Sequence, residues 1–307
     1  MATPRKFLID PELPLLYHLV SRCVQRAFLC GIDPATGKDY SHRKQWLIDR
    51  LHFLCQHFAV DLYGYCVMSN HFHLCVFHDP KAYLRWSDEQ VADRWLAVSP
   101  PRKRAGKPLA SAVLEEHRNA LLADKGRLGH VRKQLGSVST FMKFLKQDIA
   151  RRANAEEGLK GHFFEQRFWS GALLSDRAVI STMLYIDLNP FRAMIAKRIA
   201  EIQDAGITER LRHLEADPES LGGYLKPLVV GLITQQRVLS FSLAAYLELL
   251  QVIIDAESNF PKDSDDARWL KDVASIHKRQ RAYGSEVELL AWSSARNWKR
   301  IGQALEV

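Results

Sequence analysis

Two histidines separated by a single residue, His71 and His73, form the clearest metal-binding pattern in the chain. They fall in a run of residues typical of a β-strand, in which alternate side chains face the same side, about 6.6 Å apart along the backbone. Two neutral imidazoles at that spacing can bind one divalent cation. The plainer alternative is two polar residues on the exposed face of a sheet. Cys75 continues the same face but lies about 13 Å from His71, so this strand alone does not predict a three-ligand zinc site.

A second pair, Tyr185 and Asn189, lies far downstream in a predicted helix. Residues four apart share one face of a helix, one turn apart. A phenol with its ordinary pKa of about 10 is a poor nucleophile at neutral pH but a tolerable leaving group in the reverse direction. The plainer interpretation of Tyr185 is an amphipathic aromatic of the core. Asn189-Pro190 is also a good N-cap and first-turn pair for a new helix over 191–200.

The elements that must position these residues alternate between strands and helices up to position 200. The Ser69-Asn70 pair between two β-rich runs predicts a hairpin with a two-residue loop. Apolar spacings of three and four residues predict amphipathic helices. The predicted strands are 15–24, 60–68, 71–77 and one within 161–174; the predicted helices are 41–58, 137–155 and 176–188.

Two further regions flank or interrupt that core. Residues 81–135 contain a predicted helix over 87–98, a Pro/Arg/Lys stretch over 99–108 and a second helix from about Ala112; we interpret them as a basic insertion or flexible arm. Beyond position 200 the pattern becomes helical, which predicts a C-terminal domain over 201–307 whose role the sequence does not indicate. Its predicted helices are 240–256, 264–281 and 287–301.

The charge of the chain is unevenly distributed. Of the net +8, residues 1–200 carry +11 and residues 201–307 carry −3; the stretch 101–152 alone carries +9. Such a basic body predicts a polyanionic partner, with a solvated basic face as the alternative. The five cysteines lie in the first quarter without a CxxC pair, so we expect a reducing cytoplasm. No apolar stretch is long enough to predict a membrane span or a secretory signal.

Four blocks of this sequence resemble the single-tyrosine HUH transposases, in particular the REP-associated tyrosine transposases and their relatives. The resemblance covers roughly residues 15–200, with the blocks in the expected order, and several ordered blocks are far more specific than the H-x-H pair alone. The blocks read YHLVSR over 17–22, YGYCVMSNHFHL over 63–74, GHFFEQRF over 161–168 and YIDLNPFRA over 185–193.

The resemblance implies an α+β fold, the HUH endonuclease fold, in which a ferredoxin-like antiparallel sheet is flanked by helices. It implies a metal held by His71 and His73, with Asn189 as a third, oxygen-donating ligand, and Mg²⁺ or Mn²⁺ as the ion. It implies Tyr185 as the nucleophile that cuts single-stranded DNA beside a hairpin, leaving a 5′-phosphotyrosine and a free 3′-OH. Relatives with the most similar motifs lean towards monomers rather than homodimers.

DNA contacts are less specific in the sequence. Arg167 could hold a phosphate through its planar donor fork or form an ion pair with Glu165. Trp169 stands where relatives often carry Lys, which predicts the loss of one backbone contact and a gain of base stacking. The other candidate DNA-binding residues are Arg22, Arg192 and, in the basic arm, Arg102, Lys103, Arg104 and Lys107.

The leading hypothesis is therefore a metal-dependent DNA endonuclease and strand transferase over residues 1–200, acting in the cytoplasm on nucleoid DNA. A protein that binds hairpin DNA or RNA without cutting it is the main alternative. A zinc hydrolase is a third, but it would need a carboxylate ligand that no motif supplies.

Overall fold

A five-stranded sheet carries the residues discussed above. The computed structural model describes residues 7–24, 27, 29–101, 110–165, 167–230, 238–256, 265–298 and 303–305. The strands are β1 (Leu15–Arg22), β2 (Val60–Val67), β3 (His71–His78), β4 (Trp169–Leu173) and β5 (Ala282–Tyr283). They lie in the order β2-β3-β1-β4-β5; the first four are antiparallel, and β5 runs parallel to β4.

The first four strands and two helices form the ferredoxin-like arrangement. Helix α1 (His42–Cys55) connects β1 to β2, and the hairpin β2–β3 follows with Ser69-Asn70 at its turn. Helix α5 (Val138–Glu157) precedes β4. The predicted fold class is confirmed: the protein is α+β, with an antiparallel sheet flanked by helices and a helical C-terminal part.

The two faces of the sheet pack against different helices. Tyr65 points to the face covered by α1, where its ring lies 5.8 Å from that of His52. Helix α6 (Asp176–Asp187) lies on the opposite face, which also carries His73. A Cβ placed on Gly64 would lie 3.8 Å from Met183 of α6, so a large side chain there would push the helix away. The sheet thus has one face for the hydrophobic core with α1 and one for α6.

The segment inserted between β3 and α5 is folded where the structure describes it. It forms α2 (Asp88–Val98), α3 (Ser111–Ala123) and α4 (Lys125–Leu135). Leu128, Val131 and Leu135 recur at helical spacing and are buried, and the Ala59 N–H donates to the Leu135 carbonyl at 3.1 Å. These helices are packed onto the body, so of the two interpretations, insertion or flexible arm, the described part of the segment fits a folded insertion. The Pro/Arg/Lys stretch is described only up to position 101, and its basic side chains lie outside the described residues.

The chain after Leu188 is helical but more broken than the periodicity predicts. Helix α7 (Asn189–Arg192) ends well before position 200, since Met194 adopts a positive φ of 54°. The later helices are α8 (Gly206–Ala216), α9 (Leu243–Ala256), α10 (Asp265–Ile276) and α11 (Glu286–Ser294). The predicted helix 264–281 stops at Ile276, and its last residues lead instead into β5 at the edge of the sheet. None of the helices in the described ranges is long and apolar enough to cross a membrane.

Candidate functional site

Strand β3 places both histidines of the H-x-H pair on the face that packs against α6. Their ring centroids are 4.9 Å apart. His73 is only 1% exposed, whereas His71 is half-buried at the end of the strand. The β1–β3 register puts Arg22 directly opposite His71. The shared face that the alternation predicts is therefore present, and its open end carries a guanidinium.

A third histidine, His18 of β1, completes a row of imidazoles on this face. His18 is 1% exposed, and its Nε2 lies 2.9 Å from Nδ1 of His73, with the two rings stacked at 5.1 Å. No local pattern in the sequence marks it, although it lies in the YHLVSR block. Only the β1–β3 register makes His18 and His73 diagonal neighbours, and the register of two strands so far apart in the chain is not visible in the sequence.

Burial keeps all three imidazoles neutral at neutral pH. Desolvation lowers the pKa of His18 to about 3 and that of His71 to about 4, and it lowers the pKa of His73 well below its ordinary value. Nearby cations, Arg22 and Arg279, act in the same direction on the pKa of His71. Neutral imidazoles retain a lone pair, which is the form that binds a metal.

The hydrogen bonds of these rings leave suitable nitrogens for a cation. Nδ1 of His71 donates to Oδ1 of Asn70 at 2.6 Å, which places the lone pair of His71 on Nε2. Nε2 of His73 is buried and has no hydrogen-bond partner among the described residues. An orphaned buried nitrogen beside a second nitrogen with a lone pair fits a divalent cation that both rings would bind.

Asn189 is the first residue of α7, and its amide is engaged with the end of α6. Its Nδ2 donates to the carbonyl oxygens of Tyr185 at 2.8 Å and Ile186 at 3.3 Å. Leu188, not Asn189, occupies the N-cap position of α7, so the N-cap alternative is wrong. These bonds use the amide nitrogen, so the amide oxygen is the atom of this side chain that could bind a cation. No cluster of three His, Cys, Asp or Glu side chains able to hold a metal occurs in the described part of the chain.

Tyr185 lies in the last turn of α6, against the row of imidazoles. Its ring meets that of His73 edge-on at 5.5 Å and that of His18 at 5.9 Å. The residue is 7% exposed. Its hydroxyl oxygen lies 3.4 Å from Nδ1 of His277, which follows α10. Burial raises the pKa of the phenol above its ordinary value, so the hydroxyl is protonated at neutral pH.

The charges of three arginines from distant parts of the chain act on the phenol. The guanidinium of Arg192 lies 5.3 Å from the centre of the Tyr185 ring. Arg192, Arg279 and Arg22 each act to lower the pKa of Tyr185, although burial outweighs them. Positive charges around a buried phenol and neutral imidazoles form a site suited to an anion such as a phosphodiester. The sequence predicts Arg22 and Arg192 as DNA contacts but does not mark Arg279.

The remaining predicted contacts are distributed around this cluster. Trp169 begins β4, is half-buried and meets the His18 ring edge-on at 5.2 Å, so it lies within the cluster. Arg167 is exposed in the segment before β4. That segment runs beside the end of β1, because the Glu165 N–H donates to the Arg22 carbonyl at 2.8 Å. The basic-arm residues Arg102, Lys103, Arg104 and Lys107 lie outside the described residues.

A buried polar network lies behind Tyr185, and the sequence did not predict it. Asp187 is 4% exposed, and its Oδ2 accepts a hydrogen bond from the Tyr246 hydroxyl at 2.5 Å. Burial raises the pKa of this carboxyl to about 7. Arg210 lies close enough to oppose that shift, and its guanidinium donates to the Tyr63 carbonyl at 2.5 Å. The network joins α6, α8, α9 and β2, and no local pattern in the sequence marks it.

Comparisons with known proteins give little help with this site. No protein-family model matches the chain. No curated protein matches it either. Among solved structures, the chain is similar to a REP-associated tyrosine transposase bound to a REP hairpin, at 13% sequence identity, covering 70% of this chain and 88% of that one. The TM-score is 0.40, and a likeness that loose does not assign a function.

Proposed function

We propose that this chain is a metal-dependent single-stranded DNA endonuclease and strand transferase of the single-tyrosine HUH class, similar to the REP-associated tyrosine transposases. One observation carries the proposal: Tyr185 packs against the sheet face that bears two metal-competent imidazoles, and the charges of three arginines act on its phenol. The tyrosine and the imidazoles come from two motif blocks that are far apart in the sequence, yet the Tyr185 and His73 rings lie 5.5 Å apart. A structural core has no need of this combination.

The chemistry divides among the residues by type. His71 and His73, with the amide oxygen of Asn189, would hold Mg²⁺ or Mn²⁺, and the bound cation would polarise a phosphoryl oxygen. The arginines Arg22 and Arg192 would orient the anionic phosphodiester. Tyr185 would attack phosphorus, forming a 5′-phosphotyrosine as the 3′ oxygen leaves. The reverse attack by a 3′-OH rejoins strands without an external energy source.

The proposed substrate is single-stranded DNA next to a hairpin, and the proposed setting is a monomer acting on nucleoid DNA in the cytoplasm. The net charge of +11 over residues 1–200 supports a polyanionic partner. The half-buried Trp169 offers a ring on which an unpaired base can stack.

A non-cleaving hairpin-binding protein is the second candidate, and one observation favours it. Tyr185 is only 7% exposed, and burial raises the pKa of its phenol. A nucleophile in that state has to be both uncovered and deprotonated. A binder could use the same basic face without either step.

A labelled-DNA assay separates the two candidates. A pool of hairpin oligonucleotides with random flanks, labelled at the 3′ end, is incubated with the full chain in Mn²⁺ or in EDTA. The proposal predicts a covalent protein–DNA band that keeps the 3′ label, appears only with Mn²⁺ and is absent for Tyr185→Phe. Tyr224→Phe, at a tyrosine that is 63% exposed, is the matched control and should react normally. Binding of the pool without any covalent band supports the second candidate.

A further inference from the structure

The part of the chain between α10 and β5 reaches the proposed site. Helix α10 packs on α6, where Arg177 pairs with the buried Asp272 at 2.6 Å between Nε and Oδ2. After the connecting residues, β5 joins β4, and the Ala172 N–H donates to the Arg281 carbonyl at 2.9 Å. Residues 277–281 are thus anchored at both ends, on the helix that carries Tyr185 and on the strand that carries Trp169.

One hydroxyl group fixes the shape of this connection. The Tyr283 hydroxyl donates to the Ile276 carbonyl at 3.1 Å and accepts from the Gln280 N–H at 2.9 Å. Tyr283 is fully buried and its ring lies 6.3 Å from that of Trp169. The loop is therefore held by the same side chains that pack against the site, and its residues have defined positions.

Within the loop, Arg279 has an unusual backbone and a central electrostatic position. Its φ is +51°, a left-handed conformation that a bulky non-glycine residue rarely adopts. Such backbone strain concentrates at functional sites, where the surrounding structure enforces it. The positive charge of Arg279 acts on Tyr185 and on all three imidazoles, those of His18, His71 and His73. Of the pKa values of these four groups, the charge of Arg22 lowers three and that of Arg192 lowers one.

His277 is the polar group next to the proposed nucleophile. Its Nδ1 lies 3.4 Å from the Tyr185 hydroxyl, slightly long for a hydrogen bond and within the range that tightens on substrate binding. The side chain is exposed. An exposed imidazole can pass a proton on to solvent, whereas the buried His18 and His73 have no such route.

We propose that this C-terminal loop supplies two catalytic residues to the strand-transfer site, His277 as proton acceptor for Tyr185 and Arg279 as a ligand of the scissile phosphate. The inference rests on the proposed function. In the step, the phenol loses its proton to Nδ1 of His277 and its oxygen forms a bond to phosphorus. The bond from phosphorus to the 3′ oxygen breaks, and that oxygen leaves with the electron pair and takes a proton from solvent. Arg279 balances the charge that develops on the phosphoryl oxygens.

This assignment gives the C-terminal region a place in the site. His277 and Arg279 lie outside all four motif blocks, far beyond Tyr185 in the sequence. The part of the chain after position 200 would then be required for chemistry and not only for stability.

The Arg279 role is tested first, by binding alone. Affinity for an uncut hairpin oligonucleotide is measured in EDTA over a range of salt concentrations with the full chain. Arg279→Ala should reduce the slope of log K against log[salt] by about 0.7, the contribution of one contact to a single strand. Lys278→Ala, which removes the exposed neighbouring cation, should leave the slope unchanged. An unchanged slope for Arg279→Ala overturns its assignment as a phosphate ligand.

The His277 role is tested by single-turnover formation of the covalent adduct in Mn²⁺. His277→Ala should slow the adduct about 10²-fold or more, as expected for loss of a general base. Its binding of uncut DNA should stay within twofold of wild type, and added imidazole should restore part of the rate. His213→Ala, at an exposed histidine of α8, is the matched control and should react at the wild-type rate.

The outcomes separate this inference from the proposed function. If the wild-type adduct forms through Tyr185 but His277→Ala reacts within twofold of wild type, the His277 assignment is wrong and the proposed function stands. If the wild-type protein forms no adduct at all, the proposed function and the His277 role are both contradicted. The salt slope then shows only whether Arg279 contacts a phosphate of bound DNA, and its role in strand transfer is contradicted with the rest.

Discussion

Replacing Asp187 with asparagine should change how the stability of the protein depends on pH. Burial raises the pKa of this carboxyl from 3.8 to about 7. Between those two pH values the folded protein binds more protons than the unfolded chain, so this group makes the free energy of unfolding fall as the pH rises. Each pH unit in that window corresponds to about 1.4 kcal/mol. Above pH 7 both states are deprotonated and the effect is constant.

Asparagine keeps the shape of the side chain but cannot ionise. The free energy of unfolding of Asp187→Asn minus that of wild type should therefore rise with pH from 4 to 7, by up to about 4 kcal/mol in total. The pKa values of His18, His71 and His73 are lowered, so these groups make the free energy of unfolding fall as the pH falls below 6.5, which is the opposite trend. They are present in both proteins, so their effect cancels in the difference.

Urea unfolding at pH 4.5, 5.5, 6.5 and 7.5, followed by circular dichroism, measures this difference. Asp49→Asn, at an exposed aspartate of α1, is the control and should give a difference that does not change with pH. A constant difference for Asp187→Asn across the same range would show that the carboxyl is ionised in the folded protein, which contradicts a pKa raised by burial.

Three further predictions concern the metal site, the basic arm and the sheet edge. His71→Ala and His73→Ala should each abolish Mn²⁺ binding, measured by calorimetry, and leave binding of uncut hairpin DNA largely intact. Full cleavage by the double variant in Mn²⁺ would contradict the metal site. Neutralising the four basic-arm residues should flatten the salt slope on single strands by up to about 3, since each contact contributes about 0.7; an unchanged slope would make the arm a solvated loop. Gly171→Ala should lower the free energy of unfolding by about 1–3 kcal/mol and slow cleavage, because the new Cβ would lie 2.6 Å from the Trp169 ring and 2.8 Å from the Gln280 carbonyl oxygen. A melting temperature and a cleavage rate equal to those of wild type would show that the β4–β5 edge adapts freely. The four residues of the arm are Arg102, Lys103, Arg104 and Lys107.

The elements that precede position 200 were predictable because their signals are local. The alternation in 60–68 and 71–77 and the two-residue turn between them predict the hairpin that is observed as β2 and β3. Ser175, a residue type that favours the N-cap position, directly precedes the predicted helix 176–188, and its hydroxyl accepts from the Ala178 N–H. Periodicity and capping depend on neighbouring residues, so the sequence displays them directly.

The rest of the site was not predictable because it depends on contacts between distant segments. His18 reaches His73 only through the β1–β3 register, and His277 reaches Tyr185 only because α10 packs on α6. Asp187 lies inside a recognised block, yet its burial depends on Tyr246 from α9. The alternation along β3 predicts the shared face of His71 and His73, which the structure has. No local pattern marks the residues that come from the C-terminal part.

The central claim is that the Tyr185 hydroxyl is the nucleophile, and mapping the covalent adduct tests it most directly. The wild-type protein is trapped with a 3′-labelled hairpin oligonucleotide in Mn²⁺, digested with protease and nuclease, and the modified peptide is sequenced by mass spectrometry. The account predicts a nucleotide attached through a 5′ phosphate to Tyr185, and no adduct in Tyr185→Phe, whose folding should barely change. Attachment to any other residue, or a fully active Tyr185→Phe protein, would contradict it.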